Sequence, residues 1–357
     1  MVLIKSSKME IKGEHLLFLF GAGASVDAGI PISNQMVNKI EELIGKHDEW
    51  KPYKDLYFYL KSSINYSDGI LGKFNELFNV ERLLIVIAEI EKRESNIMYP
   101  FIGTWNIRLL DLAGNNFENI KKFHKLIRKQ LNEWVGLRNY DDANYFQSFS
   151  SLSTDVATLM KVFTLNYDMC FENIVGKDKT IELGFTKETN EWHQSNFENI
   201  EGKHYNLYKL HGSIDWYLAD DKLRKSQKIE SEPELIFGIQ HKMTSVDPYF
   251  YYSSVLRNSC FNEAKIIVVI GYSYADDYVN VILSQALNSR GGLRVINVAP
   301  LFGKDETKEK DFIIQRLNLK SQNQLIYIDK TAKEFMTNVM NKEFFVNNIG
   351  EPEGVPF

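Results

Sequence analysis

Leu16-Leu17-Phe18-Leu19-Phe20 is a run of five apolar residues that passes directly into Gly21-Ala22-Gly23-Ala24-Ser25. A short apolar run that ends in a glycine turn fits a strand buried on both faces, the kind found in parallel sheets. Beyond the turn, Asn34 to Ile44 carries apolar residues at helical spacing. Strand, small-residue turn and helix in that order point to an α/β architecture. They also make a phosphate cradle, because Gly21 and Gly23 leave the backbone approachable and free N–H groups at the turn can face an anion. Small residues at such a turn equally serve close packing of backbones, and both readings stay open. The usual dinucleotide fingerprint needs a third small residue where this chain has Val26. Ordinary Rossmann dehydrogenase chemistry is therefore disfavoured.

The chain has 357 residues, 44% of them apolar and 25% charged, enough for one large domain or two modest ones with a substantial core. A net charge of −5 gives no basic footprint for nucleic acid. Lys121, Lys122, Lys125, Arg128 and Lys129 form a local basic stretch that reads as a solvated helix face. Lys5 and Lys8 are followed by no long apolar core, so no signal peptide is expected, and no apolar run approaches the ~20 residues of a membrane span. The two cysteines, Cys170 and Cys260, cannot build a disulfide framework or a four-cysteine zinc site and sit in apolar contexts. A cytoplasmic protein with no metal is expected.

Between about Gly45 and Met160 the pattern is helical. Asn79 to Ile90 has a broad apolar face. Phe117, Ile120, Phe123, Leu126, Ile127, Leu131 and Trp134 recur at helical spacing, and Tyr145 to Met160 continues in that style. Strands then resume at Lys161–Leu165, Tyr205–Leu210, Ile266–Ile270, Leu293–Val298 and Gln324–Ile328. The expected fold is α/β, a Rossmann-like, mostly parallel sheet formed by 1–44 and 161–330. A large helical insertion takes 45–160, and 331–357 adds a C-terminal helix and a flexible tail from about Asn347. Four polar or glycine-containing clusters follow apolar strands: Gly21-Ala22-Gly23, Asn166-Tyr167-Asp168, His211-Gly212-Ser213 and Gly271-Tyr272-Ser273. Ligands of open α/β sheets bind beyond the carboxyl ends of the strands, so these clusters should converge on one crevice.

Asn166 at a strand end can be a plain turn former. Asp168 can hold a partner or water, or cap the helix that follows. His211 stands at the sheet's edge, where an imidazole titrating near neutrality can take a proton from a sugar hydroxyl or from water.

In their order, these clusters resemble the sirtuins. The resemblance implies that Gly21, Ala22, Gly23 and Ser25 bind the NAD diphosphate, that Thr164 and Asn166 lie near the nicotinamide ribose, and that His211 before Gly212 is the base. It further implies that Gly271 and Ser273 contact ribose and phosphate and that Asn297 meets the adenosine ribose. Asp27, in the loop that could close over the nicotinamide ribose, and Asp168 complete the expected NAD-binding set. Gly29-Ile30-Pro31 also fits the family, but it continues Ile32-Ser33-Asn34 where protein-deacylating sirtuins have Asp-Phe-Arg, and the four zinc cysteines are missing. With Asp276-Asp277 after the Gly-Tyr-Ser turn, the chain looks most like the sirtuin-like NADases of bacterial anti-phage defence. That branch implies hydrolysis of NAD+ to nicotinamide and ADP-ribose, linear or cyclic, so that NAD depletion aborts infection.

Two rival readings fit less well. A non-catalytic NAD or ADP-ribose sensor has no need of both Asn166 and His211, and a protein deacylase lacks its zinc module here. A free NADase would kill its host, so gating is expected. The roughly thirty residues after the last strand are too few for a sensor domain. Homo-oligomerisation, or a partner such as a HerA-type translocase ATPase or a short Argonaute, is what the resemblance implies. The helical insertion and the tail are the expected contact surfaces.

Overall fold

All five residues of β1 (Leu16–Phe20) are buried, as a strand with apolar side chains on both faces must be. The computed structural model describes residues 10–72, 78–92, 107–230, 233 and 247–350. The further strands are β2 (Met160–Thr164), β3 (Ile181–Glu182), β4 (Tyr205–Lys209), β5 (Trp216–Ala219), β6 (Lys222–Lys225), β7 (Ile266–Ile270), β8 (Arg294–Val298) and β9 (Leu325–Ile328). Seven of them form one sheet in the order β3-β4-β2-β1-β7-β8-β9, and every pairing in it is parallel. β1 lies at the centre, with β2 on one side and β7 on the other. The chain fills one half of the sheet and then crosses to the other, which makes the carboxyl edge of β1 a topological switch point.

Both faces of the sheet are packed by aromatic rings. Phe18 and Phe20 point to the same face and meet Phe149 at 4.9 and 5.6 Å between centroids, with Phe146, Phe171 and Phe345 beside them. On the other face Phe163 of β2 stacks on its register partner Tyr208 of β4 at 4.8 Å, and Phe197 stacks on Tyr208 at 4.8 Å. Each fully buried ring of this kind contributes about 1.5–3 kcal/mol through the water it gives up. That packing holds the strand ends, and the loops they carry, in fixed register.

The chain divides into two compact units. Among the described residues the sheet-bearing unit takes 10–30, 137–230, 233 and 247–350, and the other takes 31–72, 78–92 and 107–136. The second unit contains helices Ser33–Lys46, Lys54–Ile70, Val80–Glu91, Ile107–Ala113 and Glu118–Val135. Its interior gathers on Phe123, which stacks on Tyr53 at 5.2 Å and meets Trp50 and Tyr57 edge-on. Arg82 makes a two-pronged ion pair with buried Asp68. The Asn79 side chain accepts from the Arg82 N–H and starts helix Val80–Glu91. Of the basic stretch on Glu118–Val135, Lys122 pairs with Glu118 one turn away on an exposed face.

Three details depart from the sequence pattern. Tyr145 to Met160 is not one helix: a 3-10 segment Asp141–Gln147 leads into helix Ser148–Val156, Ala157 turns left-handed at φ 56°, and Met160 already opens β2. The two-residue β3 and the β5–β6 hairpin had no strand signal long enough to read. The hairpin turns on Asp220 and Asp221, both at positive φ, which is the backbone of a tight two-residue turn. The chain is helical over Lys342–Asn348, into the segment read as tail, and the tail's last part, 351–357, lies outside the described residues. Both cysteines are buried. Burial first, and then the charge of Asp168, push the Cys170 thiol far above its ordinary value, while burial pushes Cys260 up to about 12. Neither is a thiolate near neutrality, as expected of small core residues. Among the described residues no helix is long and apolar enough to cross a membrane and no cluster of ligating side chains suits a metal ion.

Candidate functional site

The carboxyl ends of β1, β2, β4 and β7 carry the four clusters read from the sequence, all within the sheet-bearing unit. Gly21 ends β1, and its N–H donates to the Ile270 carbonyl of β7. The chain then tightens into a 3-10 segment, Ala22–Ala28, closed by Gly29 at φ 89°. The glycines serve close packing. A Cβ on Gly21 would lie 2.5 Å from the Tyr272 Cα, and one on Gly23 would lie 2.7 Å from the Gly271 Cα. Gly271 sits at φ 63°, and a Cβ there would stand 2.3 Å from the Ala24 nitrogen. The Gly23 N–H donates to the Gly271 carbonyl at 2.9 Å. The space that these glycines leave is filled by the opposite loop's backbone, which locks the β1 and β7 ends together. The helix read from Asn34 to Ile44 spans Ser33–Lys46, beyond that 3-10 segment.

Asn166, just past β2, reaches back to that locked turn. Its Nδ2 donates to the Gly21 carbonyl at 2.9 Å and lies 3.3 Å from the Ser25 hydroxyl. Its own N–H donates to Thr164 Oγ1 at 3.0 Å, so Thr164 shapes the bend that aims it. With Nδ2 engaged on the protein, Oδ1 is the acceptor that Asn166 can turn to a ligand. Asp168 Oδ1 accepts the Cys170 N–H at 2.9 Å, two residues on, and so satisfies the first N–H of helix Cys170–Val175, whose N-cap position is Met169.

Below this loop lies Lys209, the last residue of β4 and fully buried. Its ammonium donates to the Asp168 carbonyl and, at 2.8 Å, to Glu172. Burial alone would lower its pKa, but the charges of Glu172, Asp215 and Asp168 outweigh it and hold the group above its ordinary value. The lysine therefore stays charged and ties the Asn166–Asp168 loop to the strand carrying His211. The Ile214 N–H closes the same seam by donating to the Tyr167 carbonyl at 3.2 Å.

His211 is 6% exposed, and its Nε2 lies 3.1 Å from Asp276 Oδ2. Asp276 is itself firmly held. Its Oδ1 accepts from the N–H groups of Tyr278 and Val279 at 3.0 and 3.3 Å, capping helix Asp277–Ser289. The Tyr272 hydroxyl accepts the Asp276 N–H at 3.1 Å and lies 2.9 Å from Asn280 Oδ1. Burial, and then the charge of Asp276, keep the Tyr272 phenol protonated. Asn280 donates to the Tyr274 carbonyl at 2.8 Å, and the Tyr274 hydroxyl donates to Asn297 at 2.9 Å. Buried hydrogen bonds thus link His211 to Asn280 and the Tyr274 main chain, and the Tyr274 ring carries the connection on to Asn297.

Gly21, Gly23, Ser25, Thr164, Asn166 and Gly271 meet directly at the switch point, and His211 and Asn297 are joined through Asp276, Tyr272, Asn280 and Tyr274. Ala22 and Ser273 are exposed at the turns themselves. Asp27 faces elsewhere: its Oδ2 accepts the Lys333 N–H at 2.9 Å at the start of helix Ala332–Asn338. Asn297 is the penultimate residue of β8, inside the strand read from the sequence, and is buried. The sequence reading missed Asp276 as a partner of His211. Its signal was present, a short acidic side chain immediately before a helical run, but that pattern speaks of a cap and is silent about a histidine 65 positions away.

Residues 160–323 match the family described as the SIR2-like domain. That stretch contains β2, β4, β7 and β8, and with them Asn166, His211, Gly271, Asp276 and Asn297. No curated protein matches the sequence. Among solved structures, the chain is similar to a mutant Sir2 homologue in complex with 2′-O-acetyl ADP-ribose, at 13% identity and TM-score 0.40, with 90% of this chain and 88% of that one covered. It is also similar to a Sir2 homologue mutant in complex with ADP-ribose (14% identity, TM-score 0.39, 90% and 88% covered). A third, described under the structural basis for the mechanism and regulation of Sir2 enzymes, has 12% identity and TM-score 0.39, with 91% and 90% covered.

Proposed function

We propose that the SIR2-like stretch at residues 160–323, together with the Gly21 turn, hydrolyses NAD+ to nicotinamide and ADP-ribose. The observation that carries this reading is that the carboxyl ends of the adjacent parallel strands β2 and β4 carry an Asn side chain pinned to the β1 turn and a His facing a buried carboxylate. Holding a nucleotide passively needs neither group in that state.

In the reaction the C1′–N bond to nicotinamide breaks, and the electron pair leaves with the ring nitrogen. That ring is cationic in NAD+ and departs neutral, so the leaving group needs no general acid. Water adds to C1′ and loses one proton. Asn166 Oδ1 orients that water or the ribose hydroxyls, and His211 takes the proton. The Gly21–Ser25 turn, with Gly271 and Ser273 opposite it, belongs to the expected diphosphate- and ribose-binding set by resemblance, as Asn297 does to the adenosine side, although the space at Gly21 and Gly23 is taken up by packing against Tyr272 and Gly271. Asp168 and Asp27 belong to this expected NAD-contacting set by resemblance; the hydrogen bond of each is to an N–H at a helix start. No step requires a metal.

The proposal extends to a gated effector of bacterial anti-phage defence that depletes NAD when triggered. Gating belongs to this reading because an unregulated NADase would exhaust the NAD of its own cell, and self-assembly, or a protein partner such as a HerA-type ATPase or a short Argonaute, would supply it.

Asn166→Ala tests the assignment. It is expected to lower nicotinamide release by about 10²-fold, the typical penalty for misplacing a reacting group. ADP-ribose affinity, measured by calorimetry, should stay within a few-fold. Chromatography of the wild-type product reads linear against cyclic ADP-ribose. An Asn166→Ala variant that turned over NAD+ at the wild-type rate would remove Asn166 from the mechanism.

A further inference from the structure

Buried carboxylates at helix starts are common, and capping alone would account for Asp276 if only one of its oxygens were used. Here the two oxygens divide their work. Oδ1 takes the Tyr278 and Val279 N–H groups, and Oδ2 stands 3.1 Å from His211 Nε2. The residue's main chain is fixed as well, since its N–H donates to Tyr272 and its carbonyl lies 3.1 Å from the same hydroxyl. A carboxylate offers only acceptors, so the ring nitrogen facing it must carry the proton. In the neutral imidazole the lone pair then resides on Nδ1.

We propose that Asp276 is the positioning residue of the site: it fixes His211 in the Nε2–H tautomer, so that Nδ1 is the nitrogen that accepts the proton in NAD+ hydrolysis. This rests on the hydrolase reading for its catalytic consequence, but the tautomer itself does not. As the proton arrives at Nδ1, the imidazolium that forms faces a carboxylate already in place, and no side chain has to reorganise.

Two substitutions separate positioning from capping. Asn and Ser are N-caps about as good as Asp, so Asp276→Asn and Asp276→Ser both keep the start of helix Asp277–Ser289. In Asp276→Asn the amide oxygen stays on the cap, which turns the amide N–H groups toward His211 Nε2. The ring must then accept there and carry its proton on Nδ1, the wrong nitrogen for the base. Ser removes the carboxylate altogether.

In the full-length chain under conditions where it turns over NAD+, both variants are expected to lose about 10²-fold or more in kcat, as wrong-tautomer substitutions do elsewhere. KM and ADP-ribose affinity should be nearly unchanged. Nitrogen NMR of histidine-labelled protein, with the His211 signals assigned by their loss in His211→Gln, should show wild-type Nε2 protonated and Nδ1 unprotonated, and the reverse in Asp276→Asn. Retention of wild-type kcat in both variants would reduce Asp276 to a helix cap and overturn the proposal. So would a wild-type His211 protonated on Nδ1. If the wild-type chain never turns over NAD+, the hydrolase reading fails, and the nitrogen spectrum alone decides the tautomer.

Discussion

His211→Ala is expected to abolish NAD+ turnover, with kcat/KM falling by about 10²–10⁴-fold, the range a positioned general base contributes. The loss should appear in kcat, because in the proposed reaction the imidazole acts on the proton lost as C1′ gains its oxygen and holds little of the bound dinucleotide. The fold should survive. The ring is buried and leaves a modest void, and Asp276 keeps its cap through Oδ1 and its main-chain contacts to Tyr272. Asp276 Oδ2 loses its imidazole partner, a further reason to monitor stability beside activity. Near-native circular dichroism with turnover lost is the predicted pair of results. Turnover within threefold of wild type would assign the proton to another group.

Gly271→Ala is expected to destabilise the sheet-bearing unit by about 3 kcal/mol or more, from the sum of left-handed strain on a residue with a Cβ and overpacking against atoms that cannot retreat. The opposing atoms are backbone on both counts: the new Cβ would stand 2.3 Å from both the Ala24 nitrogen and the Gly23 carbonyl carbon. Relief can come only by parting the β1 and β7 loops, which breaks the hydrogen bond from the Gly23 N–H to the Gly271 carbonyl. The same opening displaces the Gly21 carbonyl that Asn166 grips, so residual activity should fall even in the molecules that stay folded. Thermal unfolding followed beside nicotinamide release reads both effects. An unchanged melting temperature would show that the two loops part freely, and the locked switch point described above would be wrong.

Much of this architecture was legible because its strands are buried on both faces. The runs Leu16–Phe20 and Ile266–Ile270 have no polar residue to confuse their period, and they stand as β1 and β7 with the bounds that the sequence suggested. The strand-end clusters were equally readable, since a parallel sheet sends every carboxyl end to the same edge. Harder to see were elements whose reason lies in another part of the chain. Nothing local shows β3, which is two residues long and exists through its pairing with β4. Nothing local shows that Gly21 and Gly23 spend their missing side chains on Gly271, and a diphosphate cradle and a backbone seam use the same residues. Asp276 illustrates the limit best. As a helix cap it could be read from its neighbours, but as the partner of His211 it depends on β4 and β7 lying on opposite sides of β1, a matter of topology that spacing in the chain does not encode.

The central claim is that this chain cleaves the nicotinamide–ribose bond of NAD+ when gated open. The most direct test is nicotinamide release from NAD+ by the purified wild-type chain, as a monomer, as a concentrated or crowded self-assembly, and mixed with candidate partners such as a HerA-type ATPase or a short Argonaute. The account predicts little or no release from the monomer and stoichiometric conversion to nicotinamide and ADP-ribose in at least one assembled form. Full-rate hydrolysis by the monomer would contradict the gating. Tight ADP-ribose binding without release in every assembly would contradict the hydrolase and leave a binding subunit in its place.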